Sequence, residues 1–154
     1  EKHSDALHEM IDLSTLIKDV ADSLRPLAET KALPLTCETP ENLMIVGDSD
    51  DLIRLFVNLL DNAIKYTPRG KITVTVQKGV KGITVNVEDT GLGISPQHLP
   101  HIFDRFYRVD ESRTLRGAGL GLAIAQEIAH AHGGTIEARS TIGQGTTFTV
   151  SLLR

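Results

Sequence analysis

An aspartate followed by two spaced glycines, Asp89-Thr90-Gly91-Leu92-Gly93, comes directly after an alternating run at residues 83–87. The alternation predicts a β-strand, which would place the Asp89 carboxylate at a strand end. An ionised carboxylate accepts hydrogen bonds and cannot donate them, so it suits a ligand edge that carries an amino group, such as adenine. Glycine has no Cβ and would let the backbone approach a flat ligand closely. An ordinary Asp-Thr-Gly turn would have the same sequence pattern.

Two asparagines and a lysine are spaced to share one face of a helix predicted over residues 50–66, with Ser49 as its N-cap. They are Asn58, Asn62 and Lys65. Asparagine is a poor residue in the middle of a helix because its amide competes for backbone hydrogen bonds. A solvated polar face is the ordinary interpretation of such a stripe. Two asparagines one turn apart, followed by a lysine, favour contact with a ligand.

A third element is the alternating glycines Gly117, Gly119 and Gly121, which lead into a helix predicted over residues 119–132. Free backbone N–H groups and the positive end of the dipole make a helix N-terminus a site for anions such as phosphate. The pattern is not the dinucleotide fingerprint, whose glycines are spaced differently. It is not a P-loop either, because no Gly-Lys-Ser/Thr sequence occurs.

The elements that must position these residues predict an α+β fold. We expect a two-layer α/β sandwich, in which a mixed, largely antiparallel sheet of about five strands packs on three helices. Residues 95–115 carry prolines and scattered charges without periodicity, which favours a mobile lid over the ligand. Besides the two helices above, the expected elements are a helix at 14–31 and strands at 33–38, 43–47, 71–77, 82–88, 135–140 and 146–153.

Length and composition indicate one acidic domain. The chain has 154 residues and a net charge of −4, which argues against a nucleic-acid surface. Its single cysteine, Cys37, cannot form an internal disulfide, so a reducing, cytoplasmic compartment is expected. The chain does not begin with methionine, which suggests a piece of a longer protein. We expect residues 1–13 to be the end of an upstream dimerisation helix with a linker, and residues 14–154 to be the domain.

Taken in order, these elements resemble the boxes of the ATP-binding catalytic domain of sensor histidine kinases, which has the Bergerat (GHKL) ATPase fold. The resemblance covers roughly Leu13 to Leu153. Its parts are the N box at 58–67, the G1 box at 89–94, the F box at 103–108, the G2 box at 117–122 and the last glycine-rich box at 143–148.

The resemblance implies ATP and Mg²⁺ as cofactors. It implies that Asn62 coordinates Mg²⁺, that Asn58 and Lys65 contact the phosphates or the waters of the metal, and that Arg108 reaches the γ-phosphate. These four are the candidate catalytic residues, and Arg105, Arg113 or Arg116 could replace Arg108. Asp89 would accept the adenine amino group. The other expected nucleotide-binding residues are Tyr66, Gly91, Gly93, Ile94, Gly117, Ala118, Gly119, Leu120, Gly121, Leu122 and Thr146.

Two of these assignments have plain alternatives. Thr146 resembles the family's hydroxyl that helps to hold a water between Asp89 and the base, but a threonine is also ordinary at the start of a strand. Tyr66 matches a residue that packs near the base and ribose, and it would fit equally well as a core tyrosine.

The implied function is transfer of the γ-phosphate to a histidine on a separate dimerisation domain, and from there to a response regulator. His8-Glu9 resembles the start of the family's phosphoacceptor motif, which continues toward Thr or Asn and then Pro. In this chain Met10-Ile11-Asp12-Leu13 follows instead, so His8 is not expected to be the acceptor. The acceptor domain is therefore expected elsewhere, in a homodimeric parent that could be a membrane receptor, while this chain alone is a monomer.

The alternatives are a clamp ATPase of the same fold, a nucleotide sensor and an anti-sigma-type kinase. Clamp ATPases use a glutamate where this chain has Asn58, and an amide cannot serve as a general base. The asparagine therefore favours transfer over hydrolysis.

Overall fold

A computed structural model describes residues 8–107 and 120–153. Within these residues the chain forms two sheets and three helices. A 3₁₀ turn at Leu99–His101 lies between the strand that ends at Asp89 and the helix that begins at Gly121. The elements are β1 (Glu9–Asp12), α1 (Leu13–Glu29), β2 (Leu35–Glu38), β3 (Met44–Gly47), α2 (Ser49–Lys65), β4 (Ile72–Lys78), β5 (Gly82–Asp89), α3 (Gly121–Ala131), β6 (Thr135–Thr141) and β7 (Gly145–Leu153).

The larger sheet has five strands in the order β2-β4-β5-β7-β6. β2 runs parallel to β4, and the other neighbours are antiparallel. Alternate residues of β4, β5 and β7 are buried and join the apolar faces of the helices in one core, so the side-chain period of two sets the face that packs. The predicted α+β fold, with three helices on a mixed sheet of five strands, is confirmed. No helix of the described residues is long and apolar enough to cross a membrane.

The helix that carries the asparagines begins at Ser49, one residue earlier than predicted. Asp48, not Ser49, is the N-cap of α2, and its Oδ1 accepts a hydrogen bond from the Asp51 N–H at 3.2 Å. Asp50 and Asp51 in the first turn add negative charge at the positive end of the helix dipole. The buried stripe of α2 includes Leu52, Phe56 and Leu59, and it fixes the helix against the core.

The described N-terminal residues contain a strand that was not predicted from the sequence. Residues 9–12 form β1, which pairs antiparallel with β3 and places Ile11 opposite Ile45, both buried. Asp12 then caps α1, which begins at Leu13. Four residues are too few to show a period in sequence, and the pairing partner lies more than thirty residues away. Residues 1–7 lie outside the described part of the chain.

The first part of the predicted lid, residues 95–107, is described, and some of its side chains contact the rest of the domain. Ile102 is buried, and the Phe103 ring packs edge-on against Phe148 of β7 with 6.1 Å between ring centroids. Arg105 forms an ion pair with Glu127 of α3. Ile102, Phe103 and Arg105 therefore contact the core or α3, and residues 108–119 lie outside the described part of the chain.

His132 joins the end of α3 to the start of α2. Its Nε2 accepts a hydrogen bond from the Asp48 N–H at 3.1 Å, and its Nδ1 lies 2.9 Å from the Ile128 carbonyl. A carbonyl only accepts, so Nδ1 is the donor in this contact and Nε2 is the acceptor of the Asp48 N–H. A Cβ at Gly47 would lie 2.6 Å from the His132 ring, which explains the glycine there.

The His132→Phe variant is expected to lower the free energy of unfolding by about 1–3 kcal/mol, because the ring stays but the Asp48 N–H loses its acceptor. His130→Phe is the matched control, since His130 is exposed on the same helix. Its effect should stay within about 0.5 kcal/mol. Urea unfolding of both variants measures the difference, and equal losses would show that the His132 contact does not stabilise the fold.

Candidate functional site

Asp89 ends β5 with its side chain almost fully buried. Its Oδ1 accepts hydrogen bonds from the Gly91 N–H at 2.9 Å and the Thr146 N–H at 3.3 Å. Burial raises the pKa of the Asp89 carboxyl above its ordinary value, and the two N–H donors oppose that rise. Sheet pairing sets this arrangement, because Asp89 of β5 stands opposite Thr146 of β7. The result is a fixed acceptor at the end of a strand.

The glycines after Asp89 are required by contacts within the protein. A Cβ at Gly91 would lie 2.3 Å from the Tyr66 carbonyl oxygen. Gly93 has φ +76, and a Cβ there would lie 2.2 Å from the Thr141 carbonyl oxygen. The turn thus packs against the end of α2 on one side and the β6–β7 hairpin on the other. These contacts account for both glycines without a ligand.

The polar face of α2 is joined to the start of α3. Asn58 Nδ2 donates to the Gly121 carbonyl at 3.1 Å, which leaves the Asn58 amide oxygen as an acceptor. Asn62 lies one turn later on the same face and is half-buried. Lys65 continues the face and has its ammonium 3.8 Å from the Asp61 carboxylate. Two amides and one ammonium therefore line a single side of the helix.

The N-terminus of α3 fits an anion. No side chain caps it, and its first helical bond runs from the Ile124 N–H to the Leu120 carbonyl at 2.9 Å. The N–H groups of Gly121, Leu122 and Ala123 consequently have no acceptor within the helix. These donors and the helix dipole favour phosphate, and the Asn58–Gly121 bond holds the polar face of α2 beside them. Amide oxygens on that face are hard ligands of the kind Mg²⁺ prefers.

Other predicted residues connect these parts. Tyr66 ends α2, and its carbonyl accepts the Leu92 N–H at 3.1 Å, which ties the helix to the turn after Asp89. The Ile94 N–H donates to Ser140 Oγ at 2.7 Å. Ser140 Oγ also lies 2.8 Å from the Thr146 hydroxyl. The turn after Asp89 is thereby fastened to both α2 and β6.

Part of the predicted set falls outside the described residues. These positions are Arg108, Arg113, Arg116, Gly117, Ala118 and Gly119. Arg105 is described, and its ion pair with Glu127 occupies its guanidinium. Leu120 and Leu122 are half-buried at the start of α3, and Leu122 packs on the core.

Three residues of the site were missed from sequence: Asp61, Thr67 and Ser140. Asp61 lies four residues before Lys65, and this spacing was a usable signal for an ion pair. Thr67 is fully buried beside Asp89, but in Tyr-Thr-Pro it reads only as the end of a helix. Ser140 lies in an alternating strand, and nothing in the sequence marks its contact with Thr146.

Residues 47–154 match the family described as histidine kinase-, DNA gyrase B- and HSP90-like ATPase. The sensor-like histidine kinase SenX3 of Mycobacterium tuberculosis is 36% identical over 146 residues. The match takes in 92% of this chain and 35% of SenX3, so the chain spans about a third of that relative's length.

Two solved structures are similar throughout. The catalytic domain of the histidine kinase ThkA, in a nucleotide-free form, has a TM-score of 0.84 and 26% identity, covering 95% of each chain. Full-length ShkA in complex with AMPPNP has a TM-score of 0.83 and 29% identity, covering 94% of this chain and 30% of ShkA.

Proposed function

The chain belongs to the histidine kinase-, DNA gyrase B- and HSP90-like ATPase family, and we propose that it is the catalytic domain of a sensor histidine kinase that binds Mg·ATP. The observation that carries the proposal is the bond from Asn58 Nδ2 to the Gly121 carbonyl. It brings the polar face of α2 to the uncapped N-terminus of α3. The amide oxygens of α2, which suit a metal ion, and the N–H donors of α3, which suit phosphate, then belong to one site.

Asp89 recognises the base. Its buried carboxylate accepts a hydrogen bond from the exocyclic amine of adenine. Guanine would place a carbonyl at this position, so two hydrogen-bond acceptors would face each other. Tyr66, Gly91, Gly93 and Ile94 border this site, and the Thr146 hydroxyl helps to hold water near the base. Calorimetric titration with ATP and GTP tests the assignment, because binding of ATP without GTP is expected and equal binding contradicts it.

The phosphates lie at the N-terminus of α3. The N–H groups of Gly121 and Leu122 donate to them, and the family resemblance assigns Gly117, Ala118, Gly119 and Leu120 to phosphate binding as well. Asn62 offers its amide oxygen to Mg²⁺, which keeps several waters and needs few protein ligands. Asn58 and Lys65 contact those waters or the phosphates. ShkA, a similar protein, was solved with the nucleotide analogue AMPPNP, which supports a nucleotide at this site.

The direction of the chemistry follows from Asn58. Its amide cannot remove a proton from water at neutral pH, so the site does not favour hydrolysis. Phosphoryl transfer depends mainly on positioning and charge stabilisation, which Lys65, the helix terminus and Arg108 supply. The acceptor is a histidine on a separate dimerisation domain, and a response regulator takes the phosphoryl group next. We place the domain in the cytoplasm, in a homodimeric parent of the membrane-receptor type, with no nucleic-acid partner.

The Asn62→Ala variant is expected to bind ATP roughly 10-fold more weakly with magnesium present, because a metal contact is removed. With a chelator present, ADP affinity should be close to that of the unaltered chain. Asn86→Ala is the matched control, because it removes an amide from β5 rather than from α2. The Asn86 amide oxygen accepts a hydrogen bond from the Thr149 hydroxyl at 2.7 Å. Calorimetry in both conditions compares the three proteins. Equal losses with and without magnesium would leave Asn62 as a structural residue.

A further inference from the structure

Thr67 is a fully buried residue whose hydroxyl has no hydrogen-bond partner among the described residues. It follows α2 and lies against the turn after Asp89. A Cβ built on Gly91 would be 2.7 Å from Thr67 Oγ1, and the Gly91 N–H itself donates to Asp89 Oδ1 at 2.9 Å. Buried hydroxyls are normally paired, so an unpaired one at this position calls for a functional explanation.

The neighbouring carboxylate has the complementary deficiency. Asp89 Oδ1 accepts two backbone N–H groups, whereas Oδ2 accepts no bond of ordinary geometry from the described residues. The Thr67 hydroxyl is close enough to Asp89 to favour its charged form, yet its geometry falls short of a hydrogen bond. The Thr146 hydroxyl lies at Ser140 and is already engaged. An unused donor and an unused acceptor therefore lie side by side.

We infer that Thr67 is a positioning residue for base recognition, whose hydroxyl donates to the Asp89 carboxylate and holds it, ionised, toward the exocyclic amine of adenine. The inference rests on the proposed binding of ATP. Thr67 acts through Asp89, so its loss should change how Asp89 titrates and should leave the phosphate contacts unchanged. A side chain that only fills space would not have this effect.

The expected pH dependence follows from the surroundings of Asp89. Burial raises its pKa, as does the charge of Glu88, the preceding residue of β5, and the donors Gly91, Thr146 and Thr67 lower it. Beside Asp89, β4 and β7 present the uncharged residues Ile72 and Thr146. Adenine needs the ionised carboxylate, so binding is present above the pKa of Asp89 and is lost as pH falls through it. Removing a donor raises that pKa and moves the loss to higher pH.

The test compares Thr67→Val, which has the same shape without the hydroxyl, with Thr67→Ser, which keeps the hydroxyl. Carbon-detected NMR follows the Asp89 carboxyl in the nucleotide-free chain, and calorimetry follows ATP binding from pH 5 to 8. A hydrogen bond to a charged group corresponds to a shift of about one to two pH units. We expect that upward shift in both measurements for Thr67→Val and the unaltered midpoint for Thr67→Ser.

An unchanged Asp89 titration in Thr67→Val overturns the inference, and so does an equal shift in Thr67→Ser. Thr67→Ala repeats the test if valine disturbs folding, because it also lacks the donor. If the unaltered chain binds no ATP, the proposed function fails, while the NMR titration still decides whether Thr67 and Asp89 are paired.

Discussion

The Asp89→Asn variant is expected to bind ATP about 10- to 100-fold more weakly than the unaltered chain, the range given by losing a hydrogen bond to a charged group. The amide oxygen of asparagine can still accept the Gly91 and Thr146 N–H groups that Asp89 accepts, so the turn should keep its shape. The amide nitrogen would then replace Oδ2, the carboxylate oxygen that accepts neither N–H group. It would point a donor at the adenine amino group, where an acceptor is needed.

The matched control is Glu88→Gln, which removes the adjacent carboxylate of β5. Glu88 is exposed, so its neutralisation should leave ATP affinity nearly unchanged. Calorimetry at neutral pH with magnesium compares the three proteins. Full ATP affinity in Asp89→Asn would show that the carboxylate does not recognise the adenine base. A similar loss in Glu88→Gln would point to a general effect of charge.

Elements with a long, regular pattern could be predicted from sequence. The alternation in β4, β5 and β7 and the apolar stripe of α2 express the burial of one face, which is a local property of the chain. β1 could not be predicted, since four residues show no period and its partner, β3, is distant. α1 also begins at Leu13, one residue before its predicted start, and the cap of α2 is Asp48, not the predicted Ser49.

Candidate site residues could be proposed from sequence where residue type alone limits the chemistry. A carboxylate at a strand end and amides in mid-helix are unusual enough to indicate a ligand. Thr67 was missed because its role depends on a contact across the fold, with the turn after Asp89. The structural role of His132, outside the site, depends in the same way on its contact with the Asp48 N–H. The glycines Gly91 and Gly93 were predicted to matter, but the contacts that require them are with protein backbone.

The second prediction with a large effect concerns the histidine that accepts the phosphoryl group. Oriented reacting groups gain roughly 7–11 kcal/mol over free encounter, and phosphoryl transfer depends mainly on such positioning. Without a docked histidine that gain is absent, and Asn58 gives water no strong base. His8, the first described residue, is exposed and lacks the acceptor context. The chain alone should therefore neither label itself nor hydrolyse ATP appreciably.

Incubation with γ-labelled Mg·ATP, with and without an added dimerisation domain, tests the central claim most directly. The account predicts acid-labile label on the histidine of the added domain, none on this chain, and loss of that label when the acceptor histidine is replaced by glutamine. Stoichiometric labelling of His8 in the chain alone would contradict the account. Brisk release of phosphate without any acceptor would also contradict it and would identify a clamp-type ATPase instead.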